Sequence, residues 1–168
     1  MKRFGGVVWV YLACAACGID FIAPEDLSDG FRAPELETSS WQRIVRDAFS
    51  YAVPPGFVDT GGIPIDSDAM GHARGEDGLS HDFGLYSGRW SPSPNENLSD
   101  IAEVWTLIGG RRAHLVSYRL DGRYVVRAGW QSVVRAPYGD LHLAVRGEAT
   151  TLAVRQEMLA AIHSVRFD

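Results

Sequence analysis

The residues best equipped for chemistry crowd between positions 66 and 86. Asp66, Asp68, His72, Asp77, His81 and Asp82 bring carboxylate oxygens and imidazole nitrogens into a short stretch. Asp66-Ser67-Asp68, with Gly71 at the sixth place and Asp77 at the twelfth, follows the spacing of a calcium loop. Two features argue against that loop. Met70 fills a ligand place, and the flanks, with Pro64 ahead and a strand pattern behind, are not helical. His72, His81 and Asp82 are suitable ligands for a transition metal, yet their spacing fits no standard signature. Asp66, His81 and Asp82 therefore stand as candidates for a metal site or a hydrolase. The favoured reading is plainer: the acids cap turns, the histidines lie on strand surfaces, and no metal or other cofactor is expected.

Other nucleophiles and bases give less. Ser87 sits in Gly84-Leu85-Tyr86-Ser87-Gly88, one place off the elbow that needs serine in the middle. His114, His142 and His163 fall in strands or at a helix end, where a lone histidine is usually structural. The only lysine is Lys2, so the rest of the chain can form neither a Schiff base nor a phosphate-binding P-loop. No catalytic residue is assigned, and binding or scaffolding is expected in place of catalysis. Trp90, Trp105 and Trp130, with Tyr86, Tyr118, Tyr124 and Tyr138, could line a cleft or an interface, but core and sheet-edge roles are preferred. Arg111, Arg112, Arg119, Arg123 and Arg127 read as a solvated outer sheet face pairing with acids.

The elements that must position these residues are mostly strands. Phe49 to Val53 alternates large and small side chains and meets Pro54-Pro55-Gly56; Trp41 to Val45 is its candidate hairpin partner. A helix from Pro34 or Glu35 toward Arg46 is the alternative to a solvated linker over Gly18 to Ser40. Gly61-Gly62 and Pro64 mark a loop. Strands are expected at Gly71 to Arg74 and Leu79 to Leu85, joined by Glu76-Asp77-Gly78. Further strands follow at Glu103 to Ile108, Arg112 to Leu120, Arg123 to Trp130 and Asp140 to Arg146. Gly109-Gly110 and Asp121-Gly122 supply hairpin turns. Thr150-Thr151 opens a helix with Val154, Met158, Ala161, Ile162 and Val165 at helical spacing, and Ser164 to Phe167 closes as a short strand. The pattern predicts an α+β fold, a mostly antiparallel sheet with a packed C-terminal helix.

Of the 168 residues, 46% are apolar and 22% charged, as in an ordinary globular protein of one domain. The net charge of −5 disfavours nucleic acid as a partner. The two cysteines, Cys14 and Cys17, lie close together near the N-terminus, so the folded part has neither a disulfide nor a thiolate metal site.

That N-terminus has the three parts of a secretory signal. Met1-Lys2-Arg3 is basic, Phe4 to Ala13 is apolar and uncharged, and Cys14-Ala15-Ala16-Cys17-Gly18 is small. The apolar run is too short to cross about 30 Å of hydrocarbon as a helix. Ala15-Ala16-Cys17 resembles the lipobox of bacterial lipoproteins, with Cys14 standing where leucine is usual. The resemblance implies that residues 1–16 are a signal peptide and that Cys17 is acylated, as in palmitate-bearing lipoproteins. The implied place is the cell envelope, with the protein anchored to a membrane by lipid. A cut nearby with Cys17 unmodified would instead release a secreted protein. Residues 17–40, rich in Asp and Glu with Pro24 and Pro34, read as an acidic tether, and residues 41–168 as the domain.

Three pieces of the domain carry a second resemblance. They are Ile65-Asp66-Ser67 after a glycine-rich loop; His81-Asp82-Phe83-Gly84-Leu85-Tyr86-Ser87; and Ile108-Gly109-Gly110-Arg111-Arg112-Ala113, together with the ending Ile162-His163-Ser164-Val165-Arg166-Phe167. They resemble bacterial envelope proteins with a fold like the PsbP subunit of the photosystem oxygen-evolving complex. That resemblance implies an α/β/α sandwich around a central antiparallel sheet. It implies no single activity and supplies no catalytic residues. The expected partners are a membrane, through the anchor, and a protein of the envelope.

Overall fold

A computed structural model of the chain describes residues 30–61, 67–87 and 97–168. The signal, Cys17, Asp66 and Trp90 lie outside these residues. Ten strands and one complete helix make up the described part. In order they are β1 (Gln42–Val45), β2 (Phe49–Val53), β3 (Val58–Gly61), β4 (Ser67–Arg74), β5 (Asp77–Gly84), β6 (Leu98–Ile108), β7 (Arg111–Leu120), β8 (Arg123–Ala136), β9 (Gly139–Ala149), α1 (Leu152–His163) and β10 (Arg166–Phe167). Every pairing is antiparallel. Seven strands form one sheet in the order β3-β4-β5-β9-β8-β7-β6, and three form a second in the order β1-β2-β10.

The turns explain why the strands pair as they do. Gly109 and Gly110 have φ of 62° and 79°, and Asp121 and Gly122 have 50° and 82°. These left-handed pairs match the right-handed twist of flanking strands, so β6-β7 and β7-β8 close as two-residue hairpins. Between β4 and β5 the turn is Gly75-Glu76, since Arg74 pairs with Asp77; this is earlier in the chain than the Glu76-Asp77-Gly78 expected from the sequence.

Phe49, Tyr51 and Val53 of β2 and Met158, Leu159, Ala161 and Ile162 of α1 share one buried cluster with Leu79, Leu115, Val126, Ala128, Trp130, Leu143 and Val145 of the large sheet. Helix and small sheet thus cover the same face. The helix begins where Thr151, in extended conformation, accepts a hydrogen bond from the Val154 amide at its hydroxyl oxygen. It ends at Ser164, whose hydroxyl donates to the Ala161 carbonyl at 2.6 Å and accepts from the Ala52 amide at 2.7 Å, tying α1 to β2. Close approach to β9 depends on Gly147. A Cβ there would lie 2.5 Å from the Met158 Cβ.

This arrangement corrects the expected α+β class and α/β/α sandwich. The fold is mostly β: two antiparallel sheets and one helix of twelve residues among the described elements. The physical reason lies on the far face of the large sheet. There the register sets Arg127 opposite Arg146, and Val125 opposite Glu148, with Ser80 and Asp82 alternating onto the same side of β5. Much of that face is polar and charged, with a separate small cluster of Val116, Tyr118 and Val125. A second helical layer needs a broad apolar surface to bury. The alternative helix from Pro34 or Glu35 toward Arg46 does not form; Gln42–Val45 pairs with β2 as the expected hairpin.

Candidate functional site

The histidines nominated by sequence are core residues. His72 and His81 are 3% and 2% exposed, far from the surface role expected of them. Both point to the helix-covered face, because His81 pairs with Met70 and His72 with Leu79. The Tyr51 hydroxyl and His81 Nδ1 share a hydrogen bond of 2.9 Å. On the other side, His81 Nε2 stands 3.7 Å from Asp68 Oδ1, too long for a hydrogen bond. Asp68 Oδ2 is held at 3.0 Å by Arg46 Nε. A polar chain therefore runs from a fully buried tyrosine to a half-exposed ion pair. Burial pushes both imidazoles below the ordinary value of 6.5, opposed at His81 by Asp68 and at His72 by Asp59. Burial also raises the Tyr51 phenol far above its usual range.

Asp82 does not join this chain. Successive strand residues face opposite ways, so Asp82 lies on the far side of the sheet from His81, with Arg127 among the charges near it. Asp66 is outside the described residues. Asp68, in the stretch with calcium-loop spacing, belongs to strand β4. Among the described residues no group of three or more His, Cys, Asp or Glu side chains is placed to hold a metal ion. The other histidines make structural contacts. His114 meets Glu103 at 2.9 Å, His142 accepts from the Ser132 amide, and His163 donates to the Phe31 carbonyl.

A cleft of about 320 Å³ lies elsewhere, where the start of α1 meets the β6-β7-β8 end of the large sheet. Phe31, Ala102, Ser117, Arg119, Tyr124 and Arg155 line it. Local structure explains the space. Ala102 and Ser117 face each other across β6 and β7, and neither side chain is large enough to fill the gap. Beside them β6 bulges between Ser99 and Ala102, with Asp100 at φ 52° on the rim. Phe31, within the stretch read as tether, is buried against the core and closes one wall.

Two arginines from different elements line the cleft. Arg155 Nη2 donates to Ser117 Oγ at 3.1 Å and to the Gly30 carbonyl at 3.0 Å. Arg119 lies 4.7 Å over the Tyr124 ring and donates from Nη2 to the Gly122 carbonyl. Its Nε is buried without a partner among the described residues. Among the described residues no carboxylate forms an ion pair with either arginine. Burial lowers the pKa of the Arg155 guanidinium, which still remains charged at neutral pH.

Neither arginine stands out in the sequence as a cleft residue. The pattern places Arg119 on an outer solvated face, yet the five arginines of that group divide between faces. Arg123 meets Glu76 and Glu148, Arg112 lies over Trp105 and Arg111 over Phe167. The signal for Arg155 was present. It lies three and four residues before Met158 and Leu159, so it is a charge on the apolar stripe of the helix. Of the aromatics weighed for a cleft, Tyr118 and Tyr124 line it, Trp130 is core, and Tyr86 and Tyr138 are exposed.

No protein-family model and no curated protein sequence matches the chain. No helix among the described residues is long and apolar enough to cross a membrane.

Proposed function

We propose that this protein is a non-catalytic binding module of the cell envelope, held to a membrane by acylation at Cys17, and that it takes a small ligand in the cleft beside α1. The observation that carries the binding reading is the cleft itself. Its volume of about 320 Å³ falls at the small end of ligand sites. Its walls combine apolar and aromatic surface with a few fixed polar groups, the composition that orients a bound molecule. The basic start, apolar run and Ala15-Ala16-Cys17 support the anchor. Acyl chains contribute about 0.8 kcal/mol per buried methylene, so more than one chain holds a domain firmly.

A fragment screen by ligand-observed NMR tests the binding reading, with the full chain compared against an Ala102→Trp variant whose indole fills the cleft. The reading expects fragments that bind the wild type and are lost from the folded variant. Fragments that bind both equally place the binding surface elsewhere and overturn it.

A further inference from the structure

We infer that the cleft selects an anionic amphiphile: a compact apolar or aryl body carrying one carboxylate or phosphate. This rests on the cleft being the binding site and adds the chemistry of its ligand. Three observations carry it. Arg119 and Arg155 both line one cleft, from β7 and α1, without a carboxylate among the described residues bound to either. Guanidinium groups are desolvated at a cost, and a partly buried pair with no ion-paired carboxylate among the described residues is repaid when an anion arrives. Second, each is held by its neighbours in a way that leaves donors over. Arg155 spends Nη2 on Ser117 and Gly30, and Arg119 spends Nη2 on Gly122, while Arg119 Nε has no partner among the described residues. Ser117 and Arg119 stand two places apart on one strand face, about 7 Å along the strand, so the guanidinium held at Ser117 and the one rooted at Arg119 can address the same small head group. Third, the remaining walls favour an apolar body: Phe31, the Tyr124 ring and the Leu152 side chain border the space.

Asp100 on the rim sets orientation. Its carboxylate repels a head group placed at the mouth and favours one seated inward, between the arginines. Charge-assisted hydrogen bonds to carboxylate or phosphate are about twice as strong as neutral ones, and two guanidinium groups present them in planar pairs.

Calorimetric titration of the full chain with 3-phenylpropionate, phenyl phosphate and the uncharged 3-phenylpropan-1-ol tests the assignment. The two acids are expected to bind at least about tenfold more tightly than the alcohol, and more weakly as salt rises. Arg119→Gln and Arg155→Gln are each expected to weaken the acids by about tenfold and to leave the alcohol unchanged. Arg112→Gln, on the opposite face over Trp105, is expected to change nothing. If Arg155→Gln fails to fold, Arg119→Gln still decides, since its only side-chain hydrogen bond among the described residues is to Gly122. The preferred acid tells carboxylate from phosphate. An alcohol bound as tightly as the acids overturns the anion assignment and leaves the cleft a binding site. Acids bound by both arginine variants as tightly as by the wild type, or no binding by any probe, also overturn it.

Discussion

Arg155 on α1 and Ser117 on β7 are joined by a hydrogen bond of 3.1 Å from the guanidinium Nη2 to the hydroxyl oxygen. The bond fixes a charge on the apolar side of a helix and beside the cleft. A charge so placed costs solvation, and most of that cost disappears if the side chain is replaced by an apolar one of similar length.

Arg155→Met therefore separates stability from binding. Its effect on unfolding free energy is expected to stay within about 1 kcal/mol, because the lost hydrogen bonds and the relieved desolvation oppose each other. Binding of 3-phenylpropionate is expected to fall by about tenfold in the same variant. Urea unfolding and calorimetry read the two effects. A loss of several kcal/mol with unchanged binding would make Arg155 a structural residue alone.

Gly147 gives a sharper stability test. A methyl group there meets the Met158 side chain at 2.5 Å from its Cβ and 2.6 Å from its Cγ, so α1 must lift from β9. Gly147→Ala is expected to cost about 1–3 kcal/mol, as overpacked cores do. The shift of the urea midpoint measures it. An unchanged midpoint would mean that helix and sheet are not packed this closely.

Much of the strand order was legible because it depends on local chemistry. Asp121-Gly122 and Gly109-Gly110 state their turns outright, and Thr151 announces the helix. Strand β3 was missed because Gly61-Gly62 and Pro64 outweighed a short exposed strand that only its pairing with β4 stabilises. The layering was not legible. Whether a second helical layer exists depends on the polarity of one whole sheet face, which emerges only when β5, β9 and β8 are set in register. The opposite orientation of His81 and Asp82 follows from strand alternation alone. The cleft, in contrast, joins residues from Phe31 to Arg155, and no local pattern brings those together.

The buried imidazoles predict an acid-sensitive fold. His72 and His81 have folded-state pKa values below 6.5, so the unfolded chain binds protons more readily than the folded one. Stability is then full above about pH 7 and declines as pH falls through 6.5 and below. His72 is faced by Asp59 and Arg46, and His81 by Asp68, Arg46 and His72. Unfolding free energy measured from pH 8 to pH 5 should fall in wild type and fall less steeply in His72→Gln. Equal slopes in the two proteins would show that His72 takes up its proton as easily folded as unfolded.

The anchor has a direct readout in mass. Expressed in a lipoprotein-processing bacterium, the wild type is expected in the membrane fraction, beginning at Cys17 and carrying acyl mass. Cys17→Ser is expected to lack that mass. A soluble, unacylated wild type would remove the lipid anchor from the account.

The most direct test of the central claim is amide chemical-shift mapping of the full chain titrated with 3-phenylpropionate. Saturable shifts are expected at Ala102, Ser117, Arg119, Tyr124 and Arg155, with none around Tyr51 and His81. Shifts centred on another surface, or none at all as the probe is raised, would contradict it.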